Sequence, residues 1–160
     1  MSEFSVFTSR DAWTRIMQAV LTKHIQSVPE FFVKVSKKLC KPAAAEFISR
    51  FMYYITSILD KQAEFWNDES SIGYTVTIFA ACLLSKFKEI HINDLPMMMI
   101  VSLYIAHGHL DDISIHPTMY ARKMVICNLE LQALLRAFLE LIDWRSHITH
   151  DEFIIFKNSL

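Results

Sequence analysis

Residues 72–89, IGYTVTIFAACLLSKFKE, and residues 96–107, PMMMIVSLYIAH, decide the fold class. Both are apolar almost all the way round, a pattern that belongs to helices enclosed by other elements. The β-branched residues of the first stretch also suit a strand, but its length favours a buried helix. Lys86 and Lys88 suit the C-terminus of that helix, where a cation meets the negative end of the dipole. Asn93 and Asp94 with Pro96 just inside open the second, which runs to about His109. Two neighbouring helices with no polar side require other helices to wrap them, so an all-α fold is expected.

The wrapping helices are legible on either side. Ser9 caps a leading amphipathic helix whose apolar positions Ala12, Trp13, Ile16, Met17, Val20 and Ile25 recur at three- and four-residue steps until Pro29. Residues 30–41, EFFVKVSKKLCK, set Phe31, Phe32, Val35 and Leu39 against Lys34, Lys37, Lys38 and Lys41, a short helical segment with a basic outer side. From Pro42, PAAAEFISRFMYYITSILD places Phe47, Ile48, Phe51, Ile55 and Leu59 on one face, and NDESS at 67–71 is a loop. Beyond the central pair, His116-Pro117 starts a shorter helix. Asn128 caps NLELQALLRAFLELIDW, with Leu131, Leu134, Phe138, Leu141 and Ile142 inward. Thr149 and Glu152 have the spacing of a capping box and open a terminal helix over FIIFKNSL.

Composition bounds what such a bundle does. With 160 residues, 52% of them hydrophobic and 12 of them Phe, one domain can bury a core without disulfides or metals. The net charge of -1 lacks the positive excess that phosphate neutralisation demands, so nucleic acid is not an expected partner. Cys40, Cys82 and Cys127 form no CxxC pair, which points to a reducing compartment and away from a zinc site. The opening MSEFSVFTSR has no basic region followed by an apolar stretch, and no apolar run approaches the roughly 20 residues of a membrane span. An intracellular protein, cytoplasmic or nuclear, is expected. Only Gly73 and Gly108 are glycine, which excludes a GxGxxG turn, a P-loop and a nucleophile elbow.

Two clusters invite a chemical reading. In His107-Gly108-His109-Leu110-Asp111-Asp112, the histidines are two apart and point to different helix faces, whereas paired helical ligands need three or four. The aspartates end the helix and cap the next turn. His147 and His150 have a better spacing, but the capping box already accounts for the acids beside them. Met97-Met98-Met99 reads as core filling rather than as an adaptable groove, and Lys34, Lys37, Lys38 and Lys41 as a solvated face, with weak binding to an anionic surface as the minority reading. No nucleophile has a base in reach by sequence, so no catalytic, cofactor or metal residue is assigned and an enzyme is not expected.

The segment from Ala106 to Phe153, AHGHLDDISIHPTMYARKMVICNLELQALLRAFLELIDWRSHITHDEF, resembles the second half of the cyclin box of P-type, phosphate-regulon cyclins. The family's Ala-x-Lys-x-x-x-Asp element corresponds to Ala106 and Asp112, its Tyr-Ala-Lys step to Tyr120-Ala121-Arg122, and its Glu-Leu-Asn to Glu130-Leu131-Gln132. Phe138-Leu139 and Asp143-Trp144 match its Phe-Leu and aromatic exit. Upstream, Phe47 to Tyr54 resembles the first box helix more loosely, with Arg50 in its Ile-x-Arg. The resemblance implies a five-helix cyclin box over 43–144, preceded by N-terminal flanking helices over 1–42 and followed by a short C-terminal helix over 145–160.

It also implies a function: a regulatory subunit that binds and activates a cyclin-dependent kinase, with chemistry and ATP belonging to the partner. The contact surface is then expected near Gly108, Leu135 and Glu140, with Arg50, Asp112 and Glu130 buttressing the box. The family's kinase-contacting Lys and Glu fall at Gly108 and Leu135, so both are missing, and Met124-Val125 replace its Gly-Gly. Ser85-Lys86-Phe87-Lys88-Glu89 mimics a string seen in other cyclins but lies out of register. Losing both polar groups together can be nearly neutral where losing one is costly. The alternative is therefore a cyclin-fold adaptor in a larger complex that activates no kinase.

Overall fold

The computed structural model describes residues 28–59, 72–87, 90, 94–110, 120–122 and 128–160, together with the isolated helical positions Thr14 and Gln18. Among the described residues six helices have both ends placed, in order α1 (Glu30–Leu39), α2 (Pro42–Leu59), α3 (Ile72–Ser85), α4 (Leu95–Leu110), α5 (Asn128–Leu141) and α6 (His150–Asn158), and residues 120–122 are helical as well. There is no strand among the described residues, so the fold is all-α. The leading helix over 9–25, the loop at 67–71, Lys88, Glu89, Asp111, Asp112, His116-Pro117, Met124-Val125 and Cys127 lie outside them, Thr14 and Gln18 apart.

The two all-apolar helices form the centre: α3 and α4 pack against each other more extensively than any other pair. From Leu95 to Leu103 every residue of α4 for which an apolar side chain is described is buried, Met97, Met98 and Met99 included. Helix α2 and α5 pack on α4, while α1 and α6 pack on α3, which is how a helix with no polar side is shielded from water. Asp94, itself buried, opens α4 by accepting the Met98 amide on its carbonyl at 3.0 Å.

Helix α1 is part of the same core. Phe31, Phe32 and Val35 are buried, Phe31 stacks on Tyr74 of α3 with ring centroids 4.3 Å apart, and Phe32 meets Tyr53 of α2 edge-on at 5.3 Å. Three buried hydroxyls are used within their own helices: Ser36 donates to the Phe32 carbonyl at 2.8 Å, Thr56 to that of Met52 at 2.9 Å and Ser102 to that of Met99 at 3.0 Å.

Two helix ends differ from the expectation. Helix α3 stops at Ser85, four residues early, because the amides of Lys86 and Phe87 turn back to the carbonyls of Leu83 and Leu84. Helix α5 stops at Leu141 instead of running through Trp144: Asp143 and Trp144 take φ of 55° and 59°, and the Trp144 amide closes onto the Leu139 carbonyl at 2.7 Å. That closure resembles the glycine-type helix stop, yet neither residue is glycine. It leaves Leu141, expected inward, 37% exposed, while Ile142 is buried.

Candidate functional site

The residues expected to meet a partner sit on α4 and α5, two helices in mutual contact. Gly108 is exposed in the last turn of α4, and a Cβ there would find no atom within 4 Å. Leu135 is half-buried and packs against the core from the flank of α5. Glu140 is exposed. Five residues on a helix amount to about 140° of rotation, so Glu140 faces away from Leu135. It belongs with Leu129, Gln132 and Arg136 on the outer side of α5, all of them exposed. The three expected contact residues therefore share two helices but not one strip.

Of the expected buttresses, Arg50 is half-buried on α2 and Asp112 lies outside the described residues. Glu130 is half-buried in the first turn of α5, with its Oε2 withdrawn from solvent. A carboxylate there faces the positive end of the helix dipole. The Tyr120-Ala121-Arg122 step sits with Tyr120 and Ala121 buried and Arg122 exposed. Tyr120 is fully enclosed, donates its hydroxyl to the Ile100 carbonyl, and packs its ring 4.8 Å from that of Tyr104. Burial, with Tyr104 beside it, pushes the Tyr120 phenol well above its ordinary range, so it stays protonated and donating.

Two features were not foreseen in the sequence. Lys86, expected to complement the end of its own helix, instead reaches across to the segment before α6. Its ammonium donates to the His147 carbonyl at 3.2 Å and the Arg145 carbonyl at 3.5 Å, and lies 3.8 Å from a Glu152 carboxylate oxygen. Glu152 also completes the expected capping box, its amide donating to the Thr149 hydroxyl at 3.1 Å. The second feature is Trp144, 62% exposed on a left-handed backbone. Neither position holds glycine, and only Asp143 is of a type enriched in that conformation.

His147 and His150 are both exposed, and His107 is half-buried. Among the described residues no group of three or more His, Cys, Asp and Glu side chains is gathered as metal ligands would be. No helix among them is long and apolar enough to cross a membrane. Cys40 and Cys82 are free thiols, and burial raises both thiol pKa values. Compared with known proteins, the chain matches no family model, no curated protein and no solved structure.

Proposed function

We propose that this chain is a cyclin-like regulatory subunit that binds a cyclin-dependent kinase and activates it without catalysing a reaction itself. The observation that carries the reading is the agreement between the resemblance and the packing around Tyr120. The Tyr-Ala-basic step lies with its first two residues inside and its cation outside, docked onto the central helix through the Tyr120 hydroxyl. The aligned Leu131 and Phe138 are likewise buried. A helix bundle built around two apolar helices offers a rigid surface of the kind that biases a mobile element in a partner. In a kinase that element is the αC helix, whose Glu must pair with the catalytic Lys before phosphoryl transfer proceeds.

The contact is apolar where other cyclins are polar. Gly108 presents bare helix and Leu135 a half-buried alkyl group, so the pair lost together leaves no charge stranded. That same loss favours a second reading, an adaptor with cyclin architecture and no kinase activation. Affinity purification of the tagged chain from its own cells, followed by mass spectrometry and a kinase assay, separates the two. A cyclin-dependent kinase that phosphorylates its substrate faster with the chain than without it supports the activator. Stable recovery of other proteins and no kinase sinks it and leaves the adaptor.

A further inference from the structure

Between Glu30 and Glu46 the chain carries Lys34, Lys37, Lys38 and Lys41 and no acidic residue, in a protein whose net charge is -1. All four lysines are exposed, and none is in an ion pair with a described residue. Lys34, Lys37 and Lys38 lie three and four apart on α1, hence on one face, and Lys41 continues the ridge in the link to α2. Like charges at these spacings repel, so the arrangement works against the helix it sits on. The helix dipole accounts for Lys37 and Lys38 in the last turn, but not for Lys34 or for Lys41 beyond the helix.

We propose that this ridge docks an acidic peptide segment of a protein partner, independently of any kinase contact on α4 and α5. The chemistry of the face selects that occupant. A membrane surface that holds a helix by insertion would ask for apolar residues, but Phe31, Phe32 and Val35 of α1 are buried in the core, so only the lysine charges would be left to hold a lipid surface. A nucleic acid strand would ask for arginine or exposed aromatic rings on which bases stack, and the ridge has neither. Lysines act as point charges, for which single carboxylates are sufficient partners. The spacing also fits: Lys34 and Lys38 are separated by about 6 Å along the helix. Alternate side chains of an extended peptide recur at about 6.6 Å. Two acids placed two residues apart therefore reach Lys34 and Lys38, with Lys37 between them and Lys41 beyond the helix end adding positive charge.

The test uses the full chain and a fluorescein-labelled peptide alternating glutamate and serine, read by fluorescence anisotropy. Binding is expected to weaken steeply with added salt. It is also expected to weaken about tenfold in the Lys34→Glu, Lys37→Glu, Lys38→Glu variant. Because charge reversal could disturb α1, the Lys→Gln variant at the same three positions is measured beside it and should lose binding while keeping the helical circular dichroism of the parent. Equal binding by the Gln variant, or no binding by the parent, overturns the proposal. So does tighter binding of a single-stranded oligonucleotide or of phosphatidylserine vesicles than of the peptide.

Discussion

The ammonium of Lys86 lies 3.8 Å from a carboxylate oxygen of Glu152, joining the turn after α3 to the first turn of α6. An exposed ion pair of this kind contributes little by itself. Here it shares its acid with a capping box and its cation with two backbone carbonyls, so three attachments meet at one point. Helix α6 has no fully buried residue of its own, and its Phe153 and Phe156 pack only partly buried against the core. Glu152→Gln keeps a side chain able to serve the cap and removes only the charge, whereas Glu152→Ala removes both. Thr149→Ala and Glu152→Ala are each expected to cost about 1 kcal/mol, with Glu152→Gln costing less. Amide exchange should quicken in α6 before it quickens in α4. Uniform acceleration across both helices would show that α6 does not open separately.

Gly108 stands in a helix with open space around it and no left-handed backbone to require glycine. Gly108→Ala should therefore raise stability by about 0.5 to 1 kcal/mol, the difference in helix propensity, as read from urea denaturation. Gly108→Lys should stabilise almost as well, since its side chain has room to extend into water. That variant restores the cation expected of a kinase-binding cyclin, so the fold imposes no obstacle to testing its effect on a partner. A loss of stability in the alanine variant would mean that the end of α4 is packed against something the open geometry does not disclose.

Patterns set by burial were readable in advance, and those set by single long-range contacts were not. The central pair α3 and α4 declared itself because an element without a polar side has only one stable location. The Thr149 capping box was equally legible, being local chemistry at a fixed spacing. Lys86 was misassigned because a lysine at a helix end always looks like a dipole partner, and only the fold brings α6 within its reach. The early stop of α5 was hidden for a different reason: its left-handed positions hold Asp143 and Trp144 rather than glycine, and the apolar rhythm of Phe138, Leu141 and Ile142 runs on to Trp144 itself. At the candidate site, the five-residue spacing alone sets Leu135 and Glu140 about 140° apart on one helix, so the expectation of a shared contact surface runs against the sequence as well as the fold.

Trp144 and Asp143 occupy a conformation that costs an L-residue about 1 to 2 kcal/mol, and glycine much less. With Trp144 62% exposed, side-chain burial recovers only part of that cost. Trp144→Gly is expected to raise the Tm by about 2 to 4 °C, corresponding to about 1 kcal/mol for a chain of this size. Calorimetry reads this directly. A lower Tm would show that the indole's remaining contacts outweigh the backbone term.

Cys82 reports on the electrostatics around the same junction. Its thiol is pushed up to about 11, first by burial and then by the Glu152 carboxylate, with Lys86 pulling the other way. An unfolded thiol titrates near 8.5, so between that pH and about 11 the unfolded chain holds fewer protons than the folded one. The contribution is therefore intact below about 8.5 and is lost as pH rises toward the folded value. Iodoacetamide should alkylate Cys82 slowly at pH 8, with the rate climbing only as the thiolate forms. The two charges can then be tested against each other. If electrostatics governs the rate, Glu152→Gln speeds the reaction and Lys86→Met slows it. If loosening of α6 governs it instead, both substitutions speed it, and the assignment of the thiol's shift to its neighbours' charges fails.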